Sequence, residues 1–153
     1  MQTFISKRVL VGVCLAFGVT ALVATLAACG PKPPIAIGFI GGLSGKFADL
    51  GTSARNGALL AVEQVNDAGG INGRKLQLIE VDDRQNNDEA LKGMQQLVDK
   101  KVVAVVGPST SSVAMAITPF ATANQLVMVS PTGTTSRLTG KDDYFFRVVG
   151  EAS

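Results

Sequence analysis

The sequence predicts an α/β fold, a doubly wound parallel sheet with strand order 2-1-3-4-5. Three observations predict it. Short apolar runs rich in β-branched residues recur along the chain, bounded by Gly-Gly, Asn-Gly or Gly-Pro. Segments with apolar residues at helical spacing lie between those runs, which is the alternation of a parallel sheet with helices on both faces. Right-handed crossovers then leave few topologies, and 2-1-3-4-5 is the favoured one.

Each element follows in chain order. Ile35 to Ile40 reads as a strand buried on both faces, ending at Gly41-Gly42. A helix fits from Ser53 to Ala68, with Ala58, Ala61, Val62 and Val65 on one face and Gly69-Gly70 as its stop. Asn72-Gly73 turns the chain into a second strand, Lys75 to Val81. Asp88-Glu89 opens the next helix, with Asn86 or Asn87 as its cap. Leu91, Met94, Leu97 and Val98 line its apolar face, and Lys100-Lys101 close it where the dipole favours cations. Val102 to Val106 is a third buried strand, ending at Gly107-Pro108. Ser109, Ser111 and Ser112 precede a helix over Val113 to Ala123, in which Pro119 is a misfit. Leu126 to Val129 and Tyr144 to Val149 are the fourth and fifth strands.

Composition removes several function classes. The chain has 153 residues, 46% apolar, which suits one domain or part of a larger one and not a disordered tail. It has no His, so Ser-His-Asp and Cys-His catalysis and His-based metal sites are excluded within it. The formal charge of +2 is supplied by Lys7 and Arg8 near the start, so no basic patch and no nucleic-acid partner are implied. Gly45-Lys46 fails as a P-loop, because Ile40 and Phe47 stand where the pattern needs Gly and Ser or Thr. Gly38, Gly41, Gly42 and Gly45 have the wrong spacing for a dinucleotide fingerprint. Asp82, Asp83, Asp88 and Glu89 lack the frame of a calcium loop and are expected in solvated turn and cap roles. No cofactor, metal or catalytic residue is therefore expected.

The first residues read as an address. Lys7 and Arg8 precede the apolar run Val9 to Leu26, followed by Leu26-Ala27-Ala28-Cys29. A basic start, an apolar core and small residues at a cleavage point describe an export signal; the alternative is a membrane anchor, since the run is just long enough to span. The ending resembles the bacterial lipobox, in which cleavage precedes a Cys that carries diacylglycerol. That resemblance implies a signal peptide over residues 1–28 and a lipidated Cys29. It also implies a Pro-rich tether over 29–34, membrane attachment through the lipid, and no disulfide once Cys14 is removed.

At the switch point of a 2-1-3-4-5 sheet, strands 1 and 3 are neighbours and ligands bind beyond their C-termini. The segments delivered there are Gly41 to Gly51, Gly107 to Ser112 and Pro131 to Ser136, the parts richest in Gly, Ser and Thr. Ser111 and Ser112 stand at a helix start, where free amides and the positive dipole end favour an anion, although a serine there is more often only a cap. Thr132 and Thr134 flank Gly133 on the adjacent loop and are suited to orienting a polar ligand head.

These residues match a family pattern. Gly42 to Gly51 (GLSGKFADLG), Asn56-Gly57-Ala58, Asn66 to Gly73 (NDAGGING), Asp82-Asp83, Gly107 to Ser112 (GPSTSS), Ser130-Pro131-Thr132 and Arg147 resemble the start of the branched-chain amino-acid substrate-binding proteins of ABC importers. The resemblance, with the type I periplasmic-binding fold, runs from about Ile35 to the end. It implies that residues 35–153 form part of the first of two lobes, roughly the first third of such a protein. The chain alone is then expected to bind ligand weakly and to expose apolar surface. Carried over by position, Ser111 would bond a ligand carboxylate, and Thr132 and Thr134 would hold carboxylate and ammonium. Ser44 to Gly51 would cover the ligand side chain. Leu50 departs from the aromatic lid common in amino-acid binders, which leaves amides and related acids open as ligands. The implied function is capture of a small polar solute outside the cytoplasmic membrane and delivery to an ABC permease, with no bond made or broken. The rivals are a ligand-sensing domain of a receptor or regulator and an enzyme on the same sheet.

Overall fold

A computed structural model describes Gly30, residues 32–46 and residues 48–152. The expected signal peptide and Cys29 lie outside the described residues. The fold below is that of the unit Pro33–Ser153. Five strands form one parallel sheet in the order β2-β1-β3-β4-β5: β1 Ile35–Gly41, β2 Leu76–Asp82, β3 Val105–Val106, β4 Met128–Ser130 and β5 Phe145–Arg147. Helices α1 (Ala48–Asp67), α2 (Asn87–Asp99) and α3 (Ser111–Ala123) make the crossovers, and a 3₁₀ turn, Ser136–Leu138, precedes β5.

The core lies between the sheet and the paired helices α2 and α3. Ile40, Met94, Leu97, Val105, Ile117 and Met128 are fully buried there, each contributing about 1.5–3 kcal/mol in apolar burial. Gly38 leaves room for Leu97, since a Cβ there would lie 3.0 Å from its Cδ1. The opposite face carries the row Phe39, Val106, Val129 and Phe146 across the ladder. Phe39 is fully buried, while Phe146 on β5 is 55% exposed.

The block Asn66 to Gly73 has a physical explanation. Asn66 accepts from the Leu76 amide (2.6 Å) and donates to its carbonyl (2.9 Å), fixing where β2 begins. Gly70 has φ +78°, and a Cβ there would lie 2.1 Å from the Arg74 carbonyl oxygen, so the turn closes only on glycine. Arg74 and Ile71 exchange backbone bonds within it.

Several boundaries differ from expectation. Helix α1 starts at Ala48 and not Ser53, so Ala48 to Gly51 are helical and only the residues before them form a turn. Gly51 there packs on the backbone of Gly42, a contact invisible in sequence. The third strand is short, and Val103, expected to be buried, is 60% exposed; its amide still bonds the Ala36 carbonyl. Helix α3 starts at Ser111, two residues early, and Thr110 is its N-cap residue. The serines therefore lie in the first turn and do not cap it.

Candidate functional site

The C-terminal edge of the sheet gathers the turns after β1, β2, β3 and β4. The turn after β1 is held by Asp82, the last residue of β2. Its carboxylate accepts from the Leu43 amide (2.8 Å), the Ser44 hydroxyl (2.6 Å) and the Arg84 amide (2.9 Å). Gln85 adds a bond from its side-chain amide to the Ser44 carbonyl, 3.1 Å. Burial pushes the Asp82 carboxyl up, but the Ser44 hydroxyl and the amides of Arg84, Leu43 and Ser44 outweigh it, holding it below the ordinary carboxylate value.

Asp83 corrects the expectation of a solvated role, for it is 1% exposed. Oδ1 accepts from the Gln85 amide at 2.7 Å, and Oδ2 has no partner. Burial raises this carboxyl above its ordinary value; the Gln85 amide opposes that, and the Asp82 charge adds to it. Asn86 is the cap expected of α2, accepting from the amides of Asp88 and Glu89.

The loops after β3 and β4 are joined by three bonds. Ser130 Oγ donates to the Pro108 carbonyl (2.7 Å), Thr132 Oγ1 donates to the Ser109 carbonyl (2.7 Å), and the Thr134 amide donates to Ser111 Oγ (3.3 Å). Ser111 and Thr134 thus lie side by side, at the start of α3. Thr110 makes no side-chain cap, and the first helical bond runs from the Ala114 amide to the Thr110 carbonyl. The amides of Ser111, Ser112 and Val113 are consequently left over, at the positive end of a thirteen-residue helix. The side chains brought together here are neutral, so the arrangement can hold a small anion or zwitterion head through hydroxyls and amides.

The other expected site residues are more dispersed. Ser112 lines a polar hollow with Gln85, Asn86, Asn87 and Asp88, beside the start of α2. Leu50, 41% exposed, lines a shallow hollow with Lys46, Asp49 and Ser53. Ser44 and Thr132 donate their protons within the protein, to Asp82 and Ser109. Sequence reading gave Ser130 and Ser109 no role of their own, and it missed that Asp82 holds the turn after β1; only the position of Asp82 after a strand neighbouring β1 pointed to it. A cavity of about 600 Å³ lies elsewhere, between α3 and the 3₁₀ turn, lined by Met115, Pro119, Leu138 and Arg137 among others. It is away from the strand C-termini, so the polar edge and not this cavity is the candidate site. Among the described residues no cluster of His, Cys, Asp and Glu could hold a metal.

Residues 34–153 match the family model described as periplasmic binding protein. The Leu/Ile/Val-binding protein BraC3 of Rhizobium johnstonii is 37% identical over 123 residues, covering 77% of this chain and 34% of that protein. A leucine-, isoleucine-, valine-, threonine- and alanine-binding protein of Pseudomonas aeruginosa is 32% identical over 117 residues, 76% of this chain and 31% of that one. Among solved structures, the branched-chain amino acid transporter substrate-binding protein LivJ of Streptococcus pneumoniae, in complex with isoleucine, superposes with TM-score 0.74 and 38% identity. The match covers 77% of this chain and 34% of LivJ. An ABC transporter substrate-binding protein of Desulfitobacterium hafniense in complex with Leu gives 0.69 and 30%, over 78% and 35%. The chain therefore spans about a third of the length of these relatives, which are binding proteins and not enzymes. The family model spans residues 34–153, most of the chain, and the chain belongs to the periplasmic binding protein family.

Proposed function

We propose that this chain forms the ligand-cradling first lobe of an exported solute-binding protein that captures an aliphatic amino acid and presents it to an ABC permease. The observation that carries the reading is the adjacency of Ser111 Oγ and the Thr134 amide, 3.3 Å apart, over the uncapped start of α3. Hydroxyls and helix amides hold a carboxylate without a counter-charge, which suits a solute that must be released again. The names of the relatives support the ligand class. Ser111, Thr134 and the backbone amide of Ser112 meet the ligand head; Thr132 shapes the loop; Ser44 and Leu50 stand on the side of its apolar tail. The leader supports export and attachment through a lipid on Cys29.

The test is an NMR titration of the chain with leucine, and with 4-methylpentanoate, which lacks the ammonium. Amide shifts confined to residues 110–113 and 132–135, with smaller ones beside Ser44 and Leu50 where the tail lies, are expected, saturating with a dissociation constant weaker than about 0.1 mM because the cradle covers one side of the ligand. Shifts elsewhere, or none at solubility-limited leucine, would refute the site. For the anchor, a Cys29→Ser chain expressed in bacteria should lose incorporation of labelled palmitate.

A further inference from the structure

We infer that Ser130 is a positioning residue for this cradle, its buried hydroxyl setting the spacing between the loop after β3 and the loop after β4. The inference rests on the reading of those loops as the ligand cradle. Ser130 is fully buried, and so is Pro108. Its hydroxyl donates to the Pro108 carbonyl at 2.7 Å and accepts from the Gly133 amide at 2.9 Å, so it bridges both loops at once. Gly133 is fitted to the arrangement: a Cβ there would lie 2.8 Å from Ser130 Oγ. The two bonds farther along, Thr132 to Ser109 and Thr134 to Ser111, are the outer stitches of the same seam. The outermost joins two of the residues that would meet the ligand. Ser130 itself is buried behind them. Removing its hydroxyl leaves a buried carbonyl and a buried amide without partners, and the loops then settle at a different spacing.

The experiment compares the full chain with Ser130→Ala, Ser130→Cys and Thr118→Val. Thr118 is a control of similar burial, its hydroxyl donating to the Ala114 carbonyl within α3 and touching neither loop. Amide hydrogen exchange under native conditions is read first. In Ser130→Ala the amides of Gly133 and Thr134 should exchange about tenfold faster relative to core amides such as Val105 and Met128. Ser130→Cys should restore part of that protection, and Thr118→Val should leave the ratio unchanged. Leucine is the affinity probe, and Ser130→Ala should weaken its binding severalfold where Thr118→Val does not. A Ser130→Ala chain whose Thr134 amide keeps its relative protection overturns the inference, as does unchanged leucine affinity in a wild type that binds. A wild type that binds no leucine refutes the proposed ligand instead; the inference is then decided by exchange alone. A Ser130→Ala chain that does not fold leaves Ser130→Cys to decide: intermediate loss of protection at Thr134 supports the inference, and none overturns it.

Discussion

Two glycines of α1 should respond to alanine with opposite sign. In an exposed helix interior, Gly→Ala is favourable by about 0.5–1 kcal/mol, because alanine loses less backbone freedom on folding. Gly57 meets that condition: a Cβ added there finds nothing within 4 Å. Gly51 does not. Its Cβ would stand 2.1 Å from the Gly42 carbonyl oxygen, 2.7 Å from the carbonyl carbon and 3.1 Å from the nitrogen, all of them backbone. Relief requires α1 to lift by about 1 Å from the turn after β1, at an overpacking cost of about 1–3 kcal/mol that exceeds the propensity gain. Urea unfolding followed by far-ultraviolet circular dichroism should give Gly57→Ala a midpoint above wild type and Gly51→Ala one below it, with slopes unchanged. In temperature, a gain of 1 kcal/mol is about 3–6 °C for a unit of this size. Gly51→Ala as stable as wild type, or more so, would refute the account of how α1 seats on the sheet edge.

Other outcomes follow from single groups. Asn86→Ala deprives the Asp88 and Glu89 amides of their acceptor and should cost about 1 kcal/mol in chemical denaturation. Leu97→Ala opens a void between α2 and Gly38 and should cost about 2–5 kcal/mol, enough to lower the thermal midpoint of the chain more than any surface substitution. Asp82 has a depressed carboxyl, so its contribution is complete above the unfolded-state value near 3.8 and is lost as pH falls through the lower folded value. Asp82→Asn should therefore flatten the decline in stability below pH 3.8, read by urea midpoints across an acid series. Asp83, raised by burial, works in the opposite sense just above that pH. Asp83→Asn should remove the stability gained as pH falls through that window.

The fold was legible where short-range chemistry decides it. Apolar runs closed by Gly-Gly or Gly-Pro located the strands, and the handedness of crossovers ordered them. The ends of elements were less legible, because contacts distant in sequence set them. Gly51 looked like a loop residue and is helical, packed on the backbone of Gly42. Val103 looked buried because it sits in a valine run, yet it lies at the sheet's margin. The same division holds at the site. Residue type and switch-point logic brought Ser111 and Thr134 to one place, where the structure finds them in contact. They did not show that Ser44 donates its proton to a carboxylate 38 positions away, or that Thr132 donates to a carbonyl 23 positions away. Hydroxyl chemistry is visible in sequence; the direction of a hydroxyl's bond is set by the neighbours that folding brings to it.

The two helix starts at this sheet edge make the sharper argument. Helix α2 and helix α3 are both thirteen residues long and both begin beyond a strand C-terminus. Asn86 satisfies two amides of α2, and Asp88 and Glu89 add negative charge to its first turn, so that end has little left for a ligand. Helix α3 has neither device. Its N-cap residue Thr110 makes no capping bond and its hydroxyl is buried without a partner, and the first turn carries no acidic residue. Stability worth about 1 kcal/mol is forgone there, at a helix start whose preceding loop and first residue are joined to the loop after β4 by three hydrogen bonds. A chain selected only for folding gains by capping α3 as it caps α2. An open positive helix end, bordered by the bonds of Ser130, Thr132 and Thr134, instead fits the proposed binding of an anionic head.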